Sequence, residues 1–321
     1  MTKRTSRIGI AVGILLLLVL LGLVAENRHQ QQTKAASQTA AAQKQTTTKA
    51  RPYILANDET QQKDELSAEK VNTARLRTRI EARQQAQPVD TAELDSQINA
   101  ILSQNQDIKF GVSIIDVSTG ATHDYGNTAP MTAASVTKVL TATDYLKQVE
   151  LGKKSLSTVM VDGHTAQYDM EQMIVVSDNN AWHVLNEDLG YQQMQDYAHS
   201  IGLDSYAYSD NTISSNDTTQ LLHDLYTRKL INETNAELLL SYMERANYRD
   251  LIIPAVPEYD TVYHKAGEYL VNLNDAAIIT NSEKAIVISI FTESLNGYSK
   301  SRVSKLMQQI TTPVLATFGL N

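Results

Sequence analysis

Ser135 stands three residues before Lys138 in the stretch AASVTKVL. At that spacing two helical side chains share a face. A lysine held neutral can take the proton of a serine hydroxyl, one of the few ways to make a serine nucleophilic without histidine. A solvated polar pair on an amphipathic helix has the same spacing, and the pattern recurs at Ser67 and Lys70 in a charged stretch. A second group, Ser177-Asp178-Asn179, lies between an apolar helical run and a further helical pattern. A loop there can point a hydroxyl and an amide into a cleft, although the same residues are favoured helix caps. This tripeptide too recurs, at Ser209-Asp210-Asn211. A third group, Lys265-Ala266-Gly267, sits on an otherwise apolar strand. Glycine inside a strand marks close approach of a backbone or ligand; lysine there equally guards an exposed edge.

Other chemistries fit poorly. The chain has no cysteine, which excludes disulfides, thiolate metal sites and a cysteine nucleophile. Its net charge of -8 argues against a broad nucleic-acid footprint. Neither G-x-S-x-G nor H-E-x-x-H occurs, and the seven histidines are scattered without ligand-like spacing, so no metal or other cofactor is expected. Trp182, close behind the second group, suits either a cleft wall or the core.

The elements that must position these groups follow from patterning. Leu94, Ile98, Ile101 and Leu102 fall at helical spacing behind a possible Asp90 cap. KFGVSIIDV alternates as a strand, and a Ser118-Thr119-Gly120 turn leads to a second short strand. Residues 134–250 read as mostly helical. Strand character returns at 261–265, 275–280 and 284–291, and Val303, Leu306, Met307, Ile310 and Val314 mark a closing helix. Strands open and close the domain and helices fill its middle. That order predicts an α+β fold, an α/β-α sandwich: an antiparallel sheet flanked by the N- and C-terminal helices, an inserted all-helical subdomain, and a site between them.

Three regions are expected along the chain. Residues 8–25, preceded by Lys3, Arg4 and Arg7, carry no charged or polar side chain. Eighteen helical residues reach about 27 Å, enough for a hydrocarbon core. Residues 1–25 are therefore read as a basic cytoplasmic tip and a single-pass anchor, with the remainder outside the cell membrane. A cleaved signal peptide and a secreted product are the rival. Residues 26–90 read as a Gln/Thr/Ala-rich, then charged, linker ended by Pro88, and residues 91–321 as the globular domain.

The three groups occur in the order S-x-x-K, S-D-N, K-A-G, and in this the chain resembles the class A β-lactamases and the penicillin-binding serine enzymes, whose signature is S-x-x-K, S-D-N, K-T-G. GVSIIDVSTGATHDYG resembles that family's opening hairpin, NDTTQLLHDLY the helix after its active-site loop, and LNDAAIIT and AIVISIF its closing strands. The resemblance covers roughly residues 92–321 and favours Ser135 and Ser177 over their duplicates.

What the resemblance implies is a serine hydrolase that opens an amide C–N bond through an acyl-enzyme. Ser135 would be the nucleophile, Lys138 the base, Ser177 the relay to the leaving nitrogen, and Lys265 the attractor of a substrate carboxylate. Asn179 would bind the substrate amide. Ala266, Gly267 and Glu268 would line the substrate, with the Ser135 and Glu268 N–H groups as an oxyanion hole. The expected partner is a small β-lactam or a peptidoglycan stem peptide, and the catalytic domain is expected to be monomeric. Two departures matter. No glutamate lies between Glu187 and Glu233 to activate a deacylating water, and the loop region 199–217 offers Asp204, Asp210 and Asp217. Ala266 replaces the usual hydroxyl residue, and Glu268 would repel a carboxylate if it pointed into the cleft. Three readings follow: slow β-lactam hydrolysis; a penicillin-binding peptidase acting on D-Ala-D-Ala wall peptides, or a weakly catalytic relative that binds them; and an anchored interaction protein with residues 58–87 as a helical arm.

Overall fold

The computed structural model describes residues 89–320. Helix α1 (Ala92–Gln104) buries Leu94 and Ile98. Thr91 holds the cap position, while Asp90 Oδ1 accepts the Ala92 N–H at 3.0 Å. Strands β1 (Ile108–Asp116) and β2 (Thr122–Gly126) form the opening hairpin. Next come β3 (Met131–Thr132), a 3-10 turn (Ala134–Thr137) and α2 (Lys138–Glu150). The helical middle continues with α3 (Ala166–Val175), α4 (Asn179–Leu189) and α5 (Tyr191–Ser200). After the short strand β4 (Thr212–Ile213) it ends with α6 (Ser215–Tyr226) and α7 (Glu233–Glu244). Strands β5 (Thr261–Tyr269), β6 (Asn272–Thr280) and β7 (Ala285–Ser294) return the chain to the sheet, and α8 (Lys300–Phe318) closes it.

The sheet is antiparallel in the order β2-β1-β7-β6-β5. The closing strands read as apolar runs rather than strict alternations because both sheet faces are covered. Ala276, Ile278, Val287 and Phe291 join the core shared with the helical middle. Their neighbours Ala277, Ile279, Ile286, Ile288 and Ile290 join a second core with Val303, Met307, Ile310 and Val314 of α8 and Leu94 and Ile98 of α1. Each fully buried Ile or Phe contributes about 1.5–3 kcal/mol. The sheet is thus clamped between two cores, and β5, its edge strand, is left to border the helical middle. This is the fold expected from the element order.

No helix among the described residues is long and apolar enough to cross a membrane. The expected anchor at 8–25, the spacer and the charged 58–87 segment lie outside the described residues.

Candidate active site

The short pair β3–β4 delivers the chain to the turn that carries Ser135. Ala134 enters it at φ 52°, a left-handed value costly for a residue with a Cβ. Ser135 lies in the 3-10 turn and the α-helix begins only at Lys138, which corrects the expectation that both open one α-helix. Residues i and i+3 eclipse in a 3-10 turn, so the pair still shares a face.

Two asparagines that the sequence reading passed over hold this turn. Asn211 accepts the Ala133 N–H on its backbone oxygen at 2.9 Å. Its side chain donates to the Ala134 carbonyl at 2.9 Å and accepts from Thr137 Oγ1 at 2.7 Å. Asn274, buried in β6, donates to the carbonyls of Thr132 and Ala133 at 2.8 and 3.2 Å and accepts the Thr292 N–H at 3.0 Å. From the other side β5 presses Gly267 against the turn. A Cβ on Gly267 would lie 2.6 Å from the Ala133 carbonyl oxygen, 2.7 Å from the Ser135 nitrogen and 3.0 Å from the Val136 nitrogen. Only glycine permits that approach.

Both lysines are buried, Lys138 at 0% and Lys265 at 2% exposure, and both converge on Ser177. Ser177 holds a left-handed φ of 61° between α3 and α4. Asp178 caps α4 by accepting the Asn180 and Ala181 N–H groups at 2.7 and 2.9 Å, which fixes the loop. Lys138 Nζ donates to the Ser177 carbonyl at 2.7 Å and to Asn179 Oδ1 at 2.7 Å. It lies 3.2 Å from Ser177 Oγ, to which Lys265 Nζ donates at 2.9 Å. Burial and then the Lys265 charge lower the Lys138 ammonium to about 7, against an upward pull from Asp178. Burial lowers Lys265 to about 8, with Asp275 pulling it back up. Asp275 and His264, 3.0 Å apart and fully buried, flank Lys265 in the sheet. Ser135 is half-buried, and its hydroxyl makes no hydrogen bond among the described residues.

Strand alternation sends the neighbours of Lys265 the other way. Ala266 joins the core under α8. The Glu268 carboxylate accepts from Tyr298 Oη at 2.6 Å and Lys300 Nζ at 3.1 Å, which hold it below its usual range despite partial burial. The side chain is engaged at the start of α8, so the repulsion expected of it has its charge already paired. Trp182 is half-buried: its Nε1 donates to Thr141 Oγ1 at 2.9 Å, and its ring centre lies 5.3 Å from Lys138 Nζ. It walls the Lys138 pocket. Of the three loop aspartates, Asp217 accepts from the Ser205 N–H and hydroxyl at 2.8 and 2.7 Å, and Asp204 and Asp210 are exposed.

A half-buried hydroxyl, two buried lysines and a hydroxyl bonded to both gather around one glycine-packed turn, the donor and acceptor types that proton transfer and anion binding need.

The sequence model described as the Beta-lactamase enzyme family matches residues 93–318. No curated protein matches the chain. Among solved structures, PBP-A shares 21% identity at a TM-score of 0.67, over 73% of this chain and 99% of that one. A PBP-A mutant solved as its acyl-enzyme complex with penicillin G gives the same values. The ancestral class A β-lactamase GNCA shares 20% identity at a TM-score of 0.65, over 70% of this chain and 100% of that one. At these identities the likeness speaks to fold: that of a serine β-lactamase-type hydrolase.

Proposed function

We propose a serine acyl-transfer activity toward β-lactams for this chain, which belongs to the beta-lactamase enzyme family. The observation that carries the reading is the convergence of Lys138 and Lys265 on Ser177 beside the Ser135 turn. Ser135 Oγ attacks the lactam carbonyl as its proton passes to neutral Lys138. The Ser135 and Glu268 N–H groups receive the oxyanion. Ser177, bonded to both lysines, passes its proton to the ring nitrogen as the C–N bond breaks and regains one from the protonated Lys138, and the acyl group remains on Ser135. Asn179 holds the substrate amide, and Lys265 draws its carboxylate.

A second reading, a penicillin-binding peptidase that opens acyl-D-Ala-D-Ala stem peptides, is favoured by one observation. Of the three aspartates of the 199–217 stretch, Asp217 is committed to Ser205, and Asp204 and Asp210 are exposed. Acylation survives that arrangement, and release of the acyl group slows. We place the domain outside the cell membrane behind the apolar span 8–25, as its charge pattern indicates.

The test is the intact mass of the chain over time with a penicillin, beside Ser135→Ala. A penicillin adduct confined to the parent chain supports the reading, and its decay rate sorts hydrolase from peptidase. A folded parent chain with no adduct and no penicillin consumed overturns it.

A further inference from the structure

Outside the Ser135 cluster, the loop between α2 and α3 gathers Asp162, His164 and Asp169. His164 Nδ1 stands 3.2 Å from Asp162 Oδ2 and 3.6 Å from Asp169 Oδ1. Two ligands bound to one zinc ion at about 2.0–2.2 Å and near the tetrahedral angle lie about 3.4 Å apart. The two spacings bracket that edge, and one ligand atom from each residue falls within a common 4.8 Å limit.

The second observation is on Asp169. Its side chain turns from the first turn of α3 toward the imidazole and is buried, at 1% exposure. Its Oδ2 has no hydrogen-bond partner among the described residues. An orphaned buried carboxylate oxygen is costly, and a second carboxylate beside it adds repulsion. The imidazole cannot relieve this by itself. Its single Nδ1 proton can point at one of the two oxygens, and neither spacing is short. Asp162 Oδ1 already accepts the His164 N–H at 3.0 Å, so only Oδ2 faces inward. The Tyr168 ring packs 4.5 Å from the imidazole and holds its plane.

We propose that Asp162, His164 and Asp169 bind a zinc ion that ties the 151–165 loop to the start of α3. One imidazole nitrogen with two carboxylate oxygens suits zinc better than magnesium or calcium, which prefer all-oxygen shells. The half-exposed His164 leaves the remaining coordination to water. Helix α3 ends at Val175, two residues before Ser177, so the ion pins the helix that leads into the Ser177 loop. The even scatter of histidines concealed this set, because it uses one histidine and two aspartates.

The purified 321-residue chain, stripped with a chelator, is titrated calorimetrically with zinc chloride beside His164→Gln, Asp162→Asn and Asp169→Asn. One zinc per chain is expected, weakened at least tenfold in each variant, with a zinc-dependent rise in melting temperature that the variants lose. Asp162 and His164 are exposed, so their variants keep the fold whether or not Asp169→Asn does. Saturable binding with unchanged affinity in His164→Gln and Asp162→Asn overturns the proposal. So does the lack of saturable binding up to about 1 mM.

Discussion

Gly267→Ala is the sharpest test of the geometry around Ser135. The added Cβ would meet the Ala133 oxygen at 2.6 Å and the Ser135 nitrogen at 2.7 Å, where ordinary contact begins at 3.4 Å. The shortfall is about 0.8 Å, and both colliding atoms are backbone, so no side-chain rotation relieves it. Asn211 and Asn274 hold the turn from behind, and the β5–β6 ladder continues on both sides of Gly267. The turn and strand must therefore part. Overpacking of this kind costs about 1–3 kcal/mol. A displacement approaching 1 Å at a reacting group costs about 100-fold in rate. We expect penicillin acylation to slow by about 10- to 100-fold, with a melting temperature lower by a few degrees. The assay is the rate of adduct formation by mass, with thermal unfolding of the same sample. A Gly267→Ala chain acylated within about threefold of the parent would refute the claim that this contact positions Ser135.

Three further outcomes follow from the same coordinates. Acylation needs Lys138 neutral, so its rate should rise as pH passes about 7, and it needs Lys265 charged, so it should fall again above about 8. A rate flat across that interval would remove Lys138 as the base. Asn211→Ala deletes the side-chain bonds to Ala134 and Thr137 and should cost about 1–3 kcal/mol in denaturant unfolding, with slower acylation. Unchanged stability and rate would dismiss its role in holding the turn. Glu268→Gln should leave acylation within about threefold, because the exposed pair with Lys300 is worth about 0–1 kcal/mol and its charge is turned to α8. A large gain in acylation would mean that the carboxylate reaches the substrate after all.

The sheet and its flanking helices were legible because apolar runs and helical spacing report burial directly. Element ends were less so. The strand character marked at 261–265 runs on to Tyr269, where Gly267 and Glu268 pair with Asn274 and Leu273. The strand expected from Asp275 begins at Asn272, because two asparagines that look like turn residues spend their amides inside the sheet. The repeated tripeptide shows the same limit. The family resemblance separated Ser177 from Ser209, and Ser177 does meet both lysines, but nothing local announced that Asn211 of the second copy would reach the Ser135 turn. Those contacts join residues more than seventy positions apart, where a single sequence carries no pattern to read.

Release of the acyl group is where composition and coordinates combine. Composition removes every glutamate from 188 to 232, and the loop stretch 199–217 holds three aspartates. The coordinates assign Asp217 to Ser205, through two bonds that also fix the start of α6, and set Asp204 and Asp210 in solvent. A carboxylate committed to two hydrogen bonds is not free to orient a water at the ester. In the proposed reaction acylation draws on Lys138, Ser177 and Lys265, whereas none of these three aspartates is shown beside Ser135 to drive hydrolysis of the ester. The two half-reactions therefore part company, and a long-lived penicillin adduct on Ser135 is the kinetic signature that this division of residues requires.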